Sequence, residues 1–338
     1  MSSLLYIIRR ILWMIPVLLI AVFIVFVLSR VIPGNPVYLI VGSMDAGPEV
    51  YERVTREMGL DRPILEQFWM YLGDLVHFDL GTAWHTSNPV KVDIAARLPA
   101  TIELAGAAFL LSVFIGIPLG VFSAINKDKI ADHNIRIGSL LGISIPEFWL
   151  GLMLVYVLAF QLEIFPLPIG RIGIGVASPE HITGLYTVDS ILTGNIEVLK
   201  SSLSYLILPA LTLALGQIAG VTRMVRNTMV EVLASDYIRA ARAFGNPDNK
   251  IHYRYALKNT LIPTMTFIAG GVLFLLGRDV VVEVVFAWPG VGLYAMESIF
   301  VKDYQGVQAV TLLMAVISVT VYLIVDILYY MVDPRVKY

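Results

Sequence analysis

Six long apolar runs, near residues 10–29, 102–125, 137–160, 203–222, 262–285 and 309–331, constrain the fold of this chain more than any other feature. A hydrocarbon core about 30 Å thick is crossed by about 20 mainly apolar residues in an α-helix, and each run is of that order. Such runs are forced to be helical, because lipid offers no partner to a free backbone N–H or C=O. Composition agrees: 57% of residues are hydrophobic and 15% charged, far from the soluble norm. The first run, Ile11 to Leu28, carries no charge and follows Arg9-Arg10, an arrangement shared with signal peptides. It is longer than a usual signal core, and Ser29-Arg30-Val31-Ile32-Pro33 offers no small-residue cleavage site, so it reads as a retained helix. The expectation is an all-α polytopic membrane protein with six transmembrane helices.

Orientation follows from Lys and Arg, which concentrate in cytoplasmic loops. With the N-terminus inside, segments 1–10, 126–136, 223–260 and 332–338 hold 14 of the 24 basic residues. Segment 31–100 instead carries nine acidic residues against five basic ones. Both termini are therefore expected in the cytoplasm, with 31–100 and 161–202 outside. Pro33-Gly34-Asn35-Pro36 ends the first helix. Two amphipathic pieces follow, at 48–58 and at 63–76, where Leu65, Phe68, Leu72, Leu75 and Val76 recur at helical spacing. This gives a helical extracytoplasmic segment between helices 1 and 2, a cap on the membrane face and a surface for an external partner or substrate. In 161–202, Pro166, Pro168, several glycines and Asn195 mark turns around a short helix at 188–192. Loop 126–136 is a tight polar crossing, and no internal repeat supports an inverted-repeat transporter.

The basic loop 223–260 contains the most specific local pattern. In DYIRAARAFGNPDNKIHYRYALKNTLIP, residues 236–263, Asp236 suits a helix cap. Tyr237, Ile238, Ala241 and Phe244 are grouped on one face, with Arg239 and Arg242 on the other. Gly245 suits the left-handed residue that ends a helix, and Pro247 keeps it from resuming. An amphipathic helix of this kind at a membrane surface calls for a docking partner. The stretch resembles the coupling loop of ABC importer permeases, EAA, three residues, G, then I-x-LP or LIP. Ala240, Ala241, Gly245 and Leu261-Ile262-Pro263 match, and Arg239 replaces the first Glu as in the dipeptide/oligopeptide/nickel branch. The likeness extends along the chain: YIIRRILWMIPVLL, RVIPGNPV, GLDRPILEQF, FDLGTAW, PVKVDIAARLPATIELA, GIPLGV, SIPEFWLG, LILPALTLAL, VEVVFAWPGVG, Asp303-Tyr304 and YLIVDILYYMVDPRVKY. Two positions depart from it. Phe244 stands where Lys is common, and Arg278-Asp279 where small residues are usual.

The resemblance implies residues 1–100 as an N-terminal helix plus extracytoplasmic region, and 101–338 as a five-helix permease core carrying the coupling loop. It also implies a second homologous permease subunit, two ABC ATPase subunits and an extracytoplasmic substrate-binding protein. The ATPases would bind ATP and Mg, and this chain would carry no cofactor. Tyr237, Ile238, Arg239, Ala240, Ala241, Arg242, Phe244 and Gly245 would form the ATPase-coupling element. Substrates come from the family in the order peptides, oligosaccharides, then nickel.

Elementary chemistry points the same way. No G-x-x-x-x-G-K-[ST] occurs, and none of the eight lysines follows a glycine, so a phosphate cradle of that type is missing. The five histidines show no HExxH spacing, no serine stands in G-x-S-x-G, and there is no cysteine for thiol chemistry. Nothing suggests nucleic acid as a partner; membrane lipid is one by composition. Ionisable residues within the spans are the candidate pathway groups, since charge in the bilayer normally faces an interior or an aqueous path. Glu147 stands ten residues into the third run, about 15 Å deep in a straight helix. Pro146 beside it permits a kink. Arg278, Asp279 and Glu283 fall in the fifth run, Asp279 and Glu283 one turn apart on a shared face. Trp288 is expected as an interfacial anchor, and Asp326 as a structural charge. An ion-gradient-driven secondary transporter explains the spans and buried charges too, but leaves the capped helix without a purpose.

Overall fold

A computed structural model describes residues 3–31, 37, 47–57 and 59–332, with a minority of side chains in these helices left out. The described helices are α1 Ser3–Val31, α2 Pro48–Glu57, α3 Ile64–Val76, α4 Val90–Ile125, α5 Ile130–Ser144 and α6 Glu147–Leu154. They continue with α7 Tyr186–Leu192, α8 Ile196–Leu233, α9 Asp236–Ala243, α10 Leu257–Val285, α11 Val291–Phe300 and α12 Tyr304–Val332. Wider π-turns extend α6 over Val155–Gln161 and precede α10 over Lys250–Ala256. Among the described residues there is no strand, only an isolated bridge between Thr82 and Pro89. The all-helical class is as expected.

Among the described residues three helices, α4, α8 and α12, are long and apolar enough to cross a membrane, and α5 with α6 makes a fourth if counted as one bent span. The run 137–160 is thus not one straight span: α5 and α6 meet at 104°. Pro146 causes the break, since proline disfavours helix at the residue before it, and Ile145 is accordingly extended at ψ 126°. The straight-helix depth of Glu147 falls with it.

Residues group into two compact units, Met1–Pro99 with Gly290–Thr320, and Ala100–Pro289 with Val321–Tyr338. In the first, Ala83, Val90, Ile94, Val291, Tyr294, Ala309 and Val310 make a core. Asp303, fully buried, closes it: Oδ1 accepts from the Gly306 N–H at 3.2 Å and so caps α12. Its Oδ2 accepts from the backbone N–H of Trp84 at 2.6 Å and lies 2.7 Å from Nδ1 of His85. In the same unit α3 lies on α1, with Phe68 edge-on to Phe23 and Phe26, and Tyr71 stacked on Phe26. Phe68, Leu72 and Leu75 are half-buried there, whereas Leu65 and Val76 point outward.

In the second unit α8 is the central element, flanked by α10, α5, α7 and α6. Asn195 is its N-cap and not only a turn marker, its Oδ1 accepting from the Val198 N–H at 3.1 Å. Gly116 and Gly120 bring α4 onto α8: a Cβ on Gly120 would lie 2.6 Å from Cβ of Val225 and 2.7 Å from the Thr222 carbonyl. This is the small-xxx-small approach that membrane helices use to gain close packing. Trp288, expected at an interface, is instead buried, and its indole N–H donates to the Ala100 carbonyl at 2.8 Å. A buried indole needs such a partner, which the sequence did not reveal.

Candidate coupling loop and pathway residues

At about 1.5 Å per residue α8 is about 57 Å long, well beyond a hydrocarbon core, so one end must project from it. Its last turns are held from the side. Arg226 grips the buried Asp132 of α5 with Nε to Oδ1 at 2.9 Å and a second N–H to Oδ2 at 2.7 Å. Ser123 Oγ and the Asp128 N–H complete the carboxylate's bonds at 2.5 and 3.0 Å. A paired guanidinium and carboxylate in this fork geometry fix orientation as well as distance.

Ala234 and Ser235 then turn the chain into α9. The expected cap, Asp236, is the first helical residue; Ser235 occupies the N-cap, and its hydroxyl turns back to the Val232 carbonyl at 2.5 Å. Asp236 pairs with Arg239 one turn on, where its charge also favours the helix N-terminus. The C-terminus closes as foreseen. Gly245, at φ +74°, donates its N–H to Arg242 O at 2.9 Å, and the Asn246 N–H reaches Ala241 O at 3.3 Å. These are the two bonds of a Schellman cap.

The proposed apolar face of α9 divides in two. Ile238 is fully buried and packs with Val225, Met229, Ile251 and Ala256. Phe244 is 86% exposed, and Tyr237 and Phe244 both face outward. The reason is angular: at about 100° per residue, Ile238 is a quarter-turn from the Tyr237–Ala241–Phe244 line. Tyr237 Oη accepts from the Asn259 side chain at 2.7 Å, tying α9 to the start of α10. Arg239, Ala240 and Arg242 are exposed, Ala241 half-buried. Behind them, burial pushes the His252 imidazole down, Asp248 opposes, and Arg242 adds to the depression.

The pathway candidates lie apart from this loop. Asp279 and Glu283 are both fully buried on α10. Thr101 of α4 donates to Glu283 Oε1 at 2.6 Å, while among the described residues neither oxygen of Asp279 has a hydrogen-bond partner. Glu147 opens α6 and is half-buried. Arg278 belongs to α10, but its side chain and that of Asp326 lie outside the described residues.

An ion pair that sequence reasoning missed sits nearby. Arg171 donates to Glu103 Oε2 at 3.1 and 2.5 Å and to the Gly184 carbonyl at 2.9 Å. Its guanidinium lies 3.6 Å from the Tyr186 ring centroid, and Thr187 donates twice to Glu103 Oε1 at 2.7 Å. This network pins the irregular 161–185 stretch to α4. Partners 68 residues apart leave no local spacing to read.

Long apolar helices, one of them followed by a short capped amphipathic helix, define an integral membrane protein. Comparison with known proteins gives this class its family. The family of binding-protein-dependent transport system inner membrane components matches residues 116–338, and its N-terminal companion matches residues 3–105. The chain belongs to this family and is a multi-pass inner-membrane permease subunit of an ABC importer. It is 42% identical to the probable D,D-dipeptide transport system permease protein DdpB of Escherichia coli K12, over 93% of this chain and 92% of the relative. It is 37% identical to the dipeptide transport system permease protein DppB of Alkalihalophilus pseudofirmus, over 98% and 99%. Against DppB of Escherichia coli K12 identity is 33%, over 98% of each chain. Membership implies a partner ATPase and a substrate-binding protein.

Proposed function

We propose that this subunit forms half of a peptide-translocation pathway and takes its drive from ATPase subunits docked on α9. The carrying observation is the division of labour in that helix. Ile238 and the Schellman cap fasten it to its own chain, leaving Tyr237 and Phe244 outward, where a partner groove can enclose them. Two ATPases, a second homologous permease and an external binding protein complete the machine. Both termini lie in the cytoplasm, six helices span the bilayer, and 31–100 and 161–202 face outside, in keeping with the Lys/Arg asymmetry. The names of the relatives support peptides ahead of oligosaccharides or nickel. Glu147 lines the path at the α5–α6 break. Arg278, Asp279 and Glu283 form a second charged position on α10, supported by an Asp279 carboxylate without a hydrogen-bond partner among the described residues. ATP binding closes the ATPase pair and α9 carries that motion into α8 and α10; this chain performs no chemical step.

The test is uptake by proteoliposomes holding the whole complex. Labelled dipeptide should accumulate only with internal ATP and external loaded binding protein. Uptake that follows an imposed ion gradient without ATP would overturn the coupling and favour the secondary-transporter reading.

A further inference from the structure

Beside the coupling loop, α4, α5 and α8 enclose a cleft of ≈ 270 Å³ lined by three arginines, Arg136, Arg223 and Arg226, with Ser139, Asn227 and Leu140. A cavity of about 150 Å³ already holds a benzene ring, so the space is ample for a phosphate group. Only Arg226 has its charge met, by Asp132. Arg136 and Arg223 are exposed, and among the described residues no carboxylate pairs with either. Ser139 and Asn227 add neutral donors between them. Three guanidiniums and polar donors around one cleft form a receptor for a phosphate anion, which arginine recognises through two parallel N–H bonds.

The surroundings decide where that phosphate comes from. Leu140 lines the cleft and is 56% exposed, and on the same helix Ile137 and Leu141 are likewise exposed. Just past Arg136, α5 therefore changes from charged to apolar, as a helix does on passing from headgroups into acyl chains. Basic pockets between membrane helices at the cytoplasmic face take anionic headgroups. We infer that this cleft binds the headgroup phosphate of an anionic phospholipid, with the acyl chains lying along Ile137, Leu140 and Leu141. Such a lipid would neutralise Arg136 and Arg223 against the Asp132–Arg226 pair and seal the α5–α8 seam from which the coupling loop leaves. The inference needs neither the peptide substrate nor the docking role of α9.

The complete complex, reconstituted in phosphatidylcholine vesicles with spin-labelled phosphatidylglycerol as probe, gives the test. The wild-type complex should immobilise labelled phosphatidylglycerol well above labelled phosphatidylcholine, and the excess should shrink as salt rises. Arg136→Gln with Arg223→Gln should lower relative affinity about tenfold or more, whereas Lys at both positions should keep most of it. Equal immobilisation of the two lipids by wild type, or an excess unmoved by the double Gln variant, would overturn the site. Millimolar inorganic phosphate should leave the excess intact; displacement of the lipid by phosphate alone would assign the cleft to a free anion instead. Should the Gln pair fail to assemble, the Lys pair and the salt response of wild type decide the matter.

Discussion

Phe244 and Ile238 stand in opposite environments within one short loop, one exposed and one fully buried, and single substitutions separate their effects. Phe244→Ala removes an exposed ring and should leave the chain as stable as wild type. If that ring is enclosed by a partner, about 1.5–3 kcal/mol of contact goes with it, enough to lower ATPase affinity by about one to two orders of magnitude. Ile238→Ala empties a fully buried site and should cost the chain itself about 2–5 kcal/mol. Thermal unfolding of the purified permease pair, set beside ATPase retention on a column, reads both effects. Equal loss of stability from the two would contradict the split. Asp279 makes a second case. A fully buried carboxyl group with no hydrogen-bond partner among the described residues is expensive, so Asp279→Asn should raise the unfolding temperature. A stabilised variant that transports poorly marks a functional charge; stabilised and fully active protein would remove Asp279 from the pathway. Glu147→Gln should fold normally and alter rates for charged peptides, and unchanged transport for peptides of every charge would release Glu147 too.

At the scale of elements, the α9 cap is the part most open to test. At φ +74° the position of Gly245 disfavours a β-branched residue, although open space surrounds it. Gly245→Val therefore strains backbone and not packing, which isolates the cap. Expected are normal membrane insertion, faster proteolysis between 236 and 256, and ATP hydrolysis no longer stimulated by loaded binding protein. Wild-type stimulation would mean that the cap does not matter to coupling. This element was legible because its signals are local: a hydrophobic spacing, a glycine and a proline within a dozen residues. The Asp236 cap and the α9 face were misjudged for a related reason. The identity of the N-cap turns on one residue of register, and a wheel cannot say which neighbour covers Ile238. The Gly116-x-x-x-Gly120 spacing entered only through the family likeness, and its partner in α8 could not be read from it.

Across the whole molecule, composition and periodicity gave the helices, while pairings between distant segments stayed hidden. Glu103–Arg171 and Asp132–Arg226 bring together residues 68 and 94 positions apart, which no periodicity encodes. Pro146 was recognised as permitting a kink, but a proline does not fix the size of a bend, and α5 and α6 meet at 104°. Orientation is a property at this scale, and the absence of cysteine makes it easy to probe. Ile174, 89% exposed in 161–202, and Lys127, exposed in 126–136, are suitable labelling positions. An impermeant thiol reagent on intact cells should label Cys at 174 and reach Cys at 127 only after permeabilisation. The reverse would place α9 on the wrong side for an ATPase.

The most direct measurement of the coupling role places a single Cys at 244 in the complete complex and adds a short thiol crosslinker. With position 244 seated in an ATPase groove, the permease should crosslink to the ATPase subunit, at a yield that differs between ATP-bound and nucleotide-free states. A complex that still imports peptide with ATP, yet gives no permease–ATPase crosslink from 244 in either state, would contradict docking through α9.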